Sequence, residues 1–223
     1  MKQRPQERRS SFKTKSKSIM FFDSNRKYLD PSKLWRNMEV VPCGDIMALN
    51  KLIGNHDLTS HTMVAIHVGT NDVDKKDGAT VFALLKDVVR RMTESAPDIK
   101  IVVNELTPRR DTRDTEVVIC NSLLQSLNEE YENVTIATHS NLRVADWKFH
   151  DDDKHLSQVS IAKFASNIKV AFRKAYNIKP RKWSSGKGKS LDYGANTKYM
   201  SNKSNSEKDI INTLVNFLNS LKK

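Results

Sequence analysis

MVAIHVGTND, residues 63–72, is the most informative stretch of this chain. From Met63 to Val68 the run is apolar except for His67, too short for an ordinary helix and rich in branched side chains. A strand buried on both faces of a parallel sheet reads this way. It stops at Gly69-Thr70-Asn71-Asp72, a cluster of turn-forming residue types. The same pattern recurs on either side of it. Ser18-Ile19-Met20-Phe21-Phe22 stops at Asp23-Ser24-Asn25, and Met38 to Pro42 ends at Cys43-Gly44. Ile99 to Val103 leaves through Leu106-Thr107-Pro108-Arg109-Arg110-Asp111, and Val134 to Ala137 is a short fifth strand.

Between these runs the apolar period changes to that of a helix. Arg26 to Asn37 reads as short helical turns around Pro31. Asp45 caps a helix through Ile46, Leu49, Leu52 and Ile53. Val81, Leu84, Leu85, Val88, Val89 and Met92 lie at helical spacing, closed by Pro97. Val117 to Tyr131 carries Leu123, Leu124 and Leu127 on one face. Ile161 to Tyr176 turns Phe164, Ile168, Ala171 and Phe172 inward. Strands alternating with helices of this length predict an α/β fold, a three-layer parallel sheet of about five strands with helices on both faces. In such sheets the reacting groups gather at the carboxyl ends of the strands. The clusters at residues 23–25, 43–45 and 69–72 are therefore expected at one edge.

The 223 residues suit one domain plus tails, and 38% hydrophobic with 29% charged is too polar for a chain packed throughout. The expected organisation is a basic disordered arm over 1–18, a domain over 19–178, a polar basic linker over 179–207 and a short amphipathic helix over 208–223. That helix carries Ile210, Leu214, Phe217, Leu218 and Leu221 on one stripe. It needs a covering surface, which its own domain, a second copy or another partner can supply. The formal net charge of +12 is concentrated in MKQRPQERRSSFKTKSKS and KPRKWSSGKGKS. Such tails either contact a polyanion such as nucleic acid or simply keep the chain soluble. With 7% aromatic residues and no RNA-recognition signature, base stacking is not foretold. Cys43 and Cys120 have no metal-ligand spacing, and no apolar segment suits a secretory signal or a membrane span. A soluble protein of a reducing compartment, cytoplasmic or nuclear, is the expectation.

Ester hydrolysis requires a serine, a base to take its proton, a carboxylate to orient the base, and donors that meet the developing oxyanion. Ser24 follows a buried strand where the chain leaves the sheet. Asp152 and His155 are three apart before the last helix, close enough to pair if the loop makes one turn. Gly44 leaves its N–H open to close approach, and Asn71 offers an amide. Each has a plainer reading. Ser24 is a turn serine, Asn71-Asp72 a cap, His155 a surface histidine and Asp151-Asp152-Asp153 a solvated acidic run. Asp153 competes with Asp152, and His67, His139 and His150 compete with His155. Arg109 and Arg110 either line an anion pocket, touch phosphates or face water.

Taken in order, FFDSNRKYL, PCGD, HVGTNDV and DDDKHLS resemble blocks I, II, III and V of the SGNH (GDSL) hydrolases, over residues 19 to about 176. The resemblance implies a flavodoxin-like fold and a serine esterase acting on an acyl ester, with no metal or organic cofactor. Ser24 would be nucleophile, His155 general base and then acid, and Asp152 its orienting partner. The Ser24 and Gly44 N–H groups and the Asn71 amide would form the oxyanion hole, and Asp23 would be a structural acid. The segment IVVNELTPRRD is similar to esterase-like domains in the first open reading frame of LINE retrotransposons and their domesticated relatives. Two positions depart from the family pattern. Phe22 replaces a glycine before Asp-Ser, where a ring has room either to crowd the turn or to shift Ser24. Ser160 replaces a glycine five residues after the histidine, in the packing of the last helix.

Overall fold

The computed structural model describes residues 17–142 and 152–179. The rest of the basic arm, most of the linker, the helix expected over 208–223, and His150 and Asp151 lie outside the described residues.

Five strands form one sheet: β1 Ser18–Phe22, β2 Met38–Pro42, β3 Met63–His67, β4 Lys100–Asn104 and β5 Val134–Ala137. Every neighbouring pair is parallel and the order is β2-β1-β3-β4-β5. Among the described residues six helices accompany them: α1 Pro31–Leu34, α2 Ile46–Asn55, α3 Gly78–Ser95, α4 Asp114–Leu124, α5 Leu127–Glu130 and α6 Gln158–Ala175. Short 3-10 turns cover Ser24–Tyr28, Leu58–Ser60 and Asp72–Asp74.

The layers follow from the period-two alternation of the strands. Ile19, Phe21, Val64, Ile66, Ile101 and Val103 face α2, α3 and α4 in one core. Met20, Phe22, Met63, Ala65 and Val102 face the other way, onto α6 and Leu34 of α1. Both faces of β1 and β3 are dry, which is why these strands read as unbroken apolar runs. Helices thus cover both faces, as expected.

Several boundaries differ from the sequence reading. Val68 leaves β3 one residue early, and β4 runs Lys100–Asn104 rather than 99–103. The helix expected over 117–131 is two pieces, because the Ser126 N–H and Oγ both turn back onto the Leu123 carbonyl. α6 starts at Gln158, three residues before Ile161, where Ser157 accepts from the Ser160 N–H. α3 starts at Gly78, capped by Asp77, whose carboxylate accepts from the Thr80 N–H. A Cβ on Gly78 would lie 2.2 Å from the Glu116 carbonyl oxygen, so only glycine lets α3 and α4 approach this closely.

Candidate active site

The strand order reverses direction between β1 and β3, since the chain goes from β1 outward to β2 and then returns across to β3. At such a switch point the loops leaving the two strands diverge and open a crevice. Asp23-Ser24-Asn25 leaves β1 here and Gly69-Thr70-Asn71-Asp72 leaves β3. Gly69 has φ +127°, a conformation that side chains resist, and its carbonyl accepts from the Asp72 and Val73 N–H groups. The β3 loop then grips the β2 loop. Asn71 Nδ2 donates to the Gly44 carbonyl at 2.6 Å, and Asp72 Oδ2 accepts from the Ile46 N–H at 3.0 Å.

Ser24, His155 and Asp152 meet at this edge. The His155 Nδ1 lies 2.8 Å from Asp152 Oδ2, and its Nε2 lies 2.9 Å from Ser24 Oγ. Asp152 Oδ1 also accepts from the N–H groups of Lys154 at 2.7 Å and His155 at 2.6 Å. Burial raises the Asp152 carboxyl, but the bonds from the His155 ring, the His155 N–H and the Lys154 N–H outweigh it and hold it down at about 2. An ionised carboxylate only accepts, so the Nδ1 atom carries the ring proton. The Nε2 lone pair is then left to accept from the Ser24 hydroxyl. Among the described residues, neither the Ser24 nor the Gly44 N–H donates a backbone hydrogen bond. A Cβ on Gly44 would meet nothing within 4 Å. One hydrogen of the Asn71 amide is taken by the Gly44 carbonyl, which leaves the other.

The rival residues are placed elsewhere. The Asp153 carbonyl accepts from the Arg110 N–H at 2.8 Å, while its side chain is exposed. His67 is fully buried between Phe22 and Phe164, with its Nε2 3.7 Å from Asp23 Oδ1. Burial pushes its pKa down against the pull of Asp23. His139 is buried on Phe164, and burial and the neighbouring His67 push its pKa well down. Asp23 itself is buried, and its Oδ1 accepts from the Asn25 N–H at 2.9 Å, shaping the turn that presents Ser24. The Phe22 ring lies in the core on the α6 side, 5.7 Å from Phe164, rather than crowding the turn as the sequence suggests. Ser160 is buried in the first turn of α6, with its hydroxyl 3.2 Å from Ser157 Oγ.

Arg109 corrects an expectation. The sequence leaves it as an anion contact or a solvent-facing residue, and the structure buries it as an internal ion pair. Its Nη1 lies 2.7 Å from Asp74 Oδ1 and donates to the Thr70 carbonyl, while its Nε and Nη2 engage Asp111. A buried guanidinium needs such partners, and the strand exit supplies them. Arg110 keeps an exposed side chain. Asp74 also accepts from Lys154 Nζ at 2.6 Å, so the Arg109 cluster reaches the loop that carries His155. Burial raises the Asp74 carboxyl, but Lys154 and Arg109 prevail and keep it low.

Asn25 is the residue that sequence reasoning missed. It is buried, its Oδ1 accepts from the Leu156 N–H at 3.0 Å, and its Nδ2 donates to Thr107 Oγ1 at 3.2 Å. One amide thus joins the loops after β1 and β4 to the residue following His155. Its only local signal is a polar side chain beside Ser24. Among the described residues, no group of three His, Cys, Asp or Glu is placed to hold a metal ion. No described helix is long and apolar enough to cross a membrane.

No protein-family model and no curated protein matches the sequence. Solved structures do match in shape. A GDSL-like lipase from Bacteroides thetaiotaomicron aligns with TM-score 0.59 at 12% identity, over 71% of this chain and 89% of its own. A carbohydrate esterase family 3 protein from Talaromyces cellulolyticus gives 0.58 at 14% identity, over 74% and 100%. A lipolytic protein of the G-D-S-L family from Veillonella parvula gives 0.56 at 16% identity, over 73% and 98%. At these identities the likeness establishes a shared fold.

Proposed function

We propose that this chain, which has the fold of the GDSL-type lipolytic hydrolases, is itself a serine carboxylester hydrolase of SGNH type. The observation that carries the reading is the continuous chain Asp152–His155–Ser24, with contacts of 2.8 and 2.9 Å at the switch point of the sheet. Ser24 Oγ attacks the acyl carbonyl while Nε2 takes its proton. The imidazolium so formed faces the ionised Asp152, then gives the proton to the departing alcohol. Water repeats the sequence to free the acid. The Ser24 and Gly44 N–H groups and the second Asn71 amide hydrogen are the donors for the tetrahedral oxyanion. This scheme uses no metal or cofactor.

The substrate is a small or lipid-like acyl ester, a class supported by the esterase and lipase neighbours. Two buried, unpaired cysteines, whose thiols burial pushes up to about 12, suit a reducing cytoplasmic or nuclear compartment. The resemblance to LINE esterase-like domains rests on residues 101–111 of the sequence alone. A second reading, a nucleic-acid-binding protein on the same scaffold, is favoured by the formal net charge of +12. The two are compatible, with the hydrolase body tethered to nucleic acid through its basic tails.

The decisive experiment is labelling by a fluorophosphonate probe together with hydrolysis of p-nitrophenyl acetate. Wild type should be labelled and Ser24→Ala should not. His155→Ala should lower turnover by about 10³-fold or more, as loss of a triad member does. A folded wild-type chain that resists the probe, or equal turnover in all three proteins, refutes the esterase reading.

A further inference from the structure

The two basic segments of this sequence start from one place. The Lys17 carbonyl, at the entry to β1, accepts from the Thr62 N–H at 2.9 Å and from Thr62 Oγ1 at 3.1 Å. The same Thr62 hydroxyl lies 2.9 Å from the Tyr176 hydroxyl, just beyond α6. Thr62 has spent its one hydroxyl proton on Lys17, so Tyr176 is the donor. The last residue before β1 and the first after α6 are therefore tied to one threonine. Seven Lys and Arg residues against one Glu lie within 1–17, and five basic residues with no acidic one lie within 179–190. Nearly all of the net charge of +12 belongs to segments rooted at this pole.

The folded body is basic at the same pole. A cavity of about 800 Å³ opens between the turn before β2 and the last part of α6, lined by Lys33, Trp35, Arg36, Lys169 and Arg173 with Asp30. Lys33 reaches Asp30 at 3.3 Å, an exposed pair of small worth. Arg36, Lys169 and Arg173 have no carboxylate partner among the described residues. Trp35 sits in the wall, stacked on Tyr176 with centroids 5.9 Å apart and rings within 6° of parallel. The pole lies at the amino ends of the strands, where Ser18 N–H donates to Asn37. Ser24 lies at the carboxyl ends, one strand length or about 16 Å away.

We infer that this pole is a single-stranded nucleic-acid-binding surface, in which Arg36, Arg173 and Lys169 meet phosphates beside the Trp35–Tyr176 pair. The inference rests on the tethering reading above and supplies its place on the body. Two guanidiniums flanking one cavity suit phosphate oxygens, which they engage in pairs. A single strand presents phosphates at regular intervals and frees bases for an adjacent aromatic edge. The large exposed apolar residues near the pole are isolated, Val170 and Ile178, which gives an acyl layer little to hold. Because the surface and Ser24 occupy opposite ends of the sheet, a bound strand leaves the triad open.

The test is fluorescence anisotropy of a labelled 20-nucleotide oligouridine with the full chain and its Arg36→Ala/Arg173→Ala variant, across a salt series. Both arginines are exposed, so the variant keeps the fold, which circular dichroism checks. Each single-strand phosphate contact carries a salt slope of about −0.7, so the slope should flatten by about 1.4, equivalent to about 25-fold weaker binding at 0.1 M salt. Labelling of Ser24 by the fluorophosphonate should be unchanged. Wild-type slope and affinity in the variant overturn the surface while leaving tethering by the tails intact. No binding by the wild type overturns both. Tighter binding of a duplex of equal length overturns the single-strand assignment. Equal binding of phosphatidylserine vesicles at matched salt shows a membrane-docking pole instead and overturns the nucleic-acid one.

Discussion

Replacing Asn25 by Ala should damage stability and turnover by separable amounts. The substitution removes the Oδ1 that accepts from the Leu156 N–H at 3.0 Å and the Nδ2 that donates to Thr107 Oγ1 at 3.2 Å. Both partners stay in a dry place, since Leu156 is 2% exposed and Thr107 0%. An abandoned buried donor costs about 1–3 kcal/mol, and the hydroxyl oxygen costs less because it can rotate. The total should be about 2–4 kcal/mol, or about 4–16 °C in Tm for a domain of this size. The Leu156 amide belongs to the residue after His155, so its release loosens the ring against Ser24. A misplacement of about 1 Å at a reacting group costs about 10²-fold in rate. Thr107→Val cuts only the outer bond and should cost stability with far less loss of turnover. Calorimetry and p-nitrophenyl acetate hydrolysis, run below both melting points, measure the two effects. Asn25→Ala with full turnover, or Thr107→Val as inactive as Asn25→Ala, refutes the assignment of Asn25 as the positioning residue of the histidine.

Gly78→Ala should lower Tm despite alanine's better helix propensity of about 1 kcal/mol, because its Cβ falls 2.2 Å from the Glu116 carbonyl and 2.9 Å from the Cys120 nitrogen, backbone atoms that cannot step aside. Gly54→Ala in α2 meets nothing within 4 Å and should raise stability by about 0.5–1 kcal/mol, so chemical denaturation of the pair separates packing from propensity. The lowered pKa values of His67 and His139 mean that the unfolded chain binds their protons first. Their contribution is therefore intact above the unfolded value of about 6.5 and declines as pH falls below it, and His139→Asn should flatten that decline by about one proton in urea titrations. Asp152 has the same sign in a lower window, its pKa lowered to about 2, so its contribution is intact above the ordinary carboxylate range and is lost as pH falls through that range toward 2. Asp152→Asn, which leaves the His155 ring free to take the wrong tautomer, should lower turnover about 10⁴-fold and also lower Tm near neutral pH, where the contribution of the ionised carboxylate is intact.

The strands and the inward faces of the helices were legible in the sequence because burial is a local pattern. A strand dry on both faces must be apolar throughout, as Ile19–Phe22 and Met63–Ile66 are, and a helix with one dry face must repeat every three to four residues, as Val81 to Met92 does. The polar clusters that end the strands were legible too, since turns at a sheet edge demand such residues. Helix ends were less so, because they depend on which hydroxyl or carboxylate captures a free N–H, as Ser157 does, or turns onto a carbonyl, as Ser126 does.

Only the tertiary structure decided what meets at the edge. Ser24 and His155 are 131 positions apart, as are Asn25 and Leu156, and no period in the sequence links them. Whether Asp152 or Asp153 faces the ring depends on one turn of an irregular loop, and residue type does not distinguish them. Arg109 reads as a surface cation because arginine is seldom buried, and only the fold places Asp74 and Asp111 where they neutralise it. The common root of the two basic segments at Thr62 follows from α6 running antiparallel to β1, which returns the chain to the pole where it entered. Local composition dictates what each segment must bury, whereas contacts between distant segments are set by sheet order and loop path, which local composition does not encode.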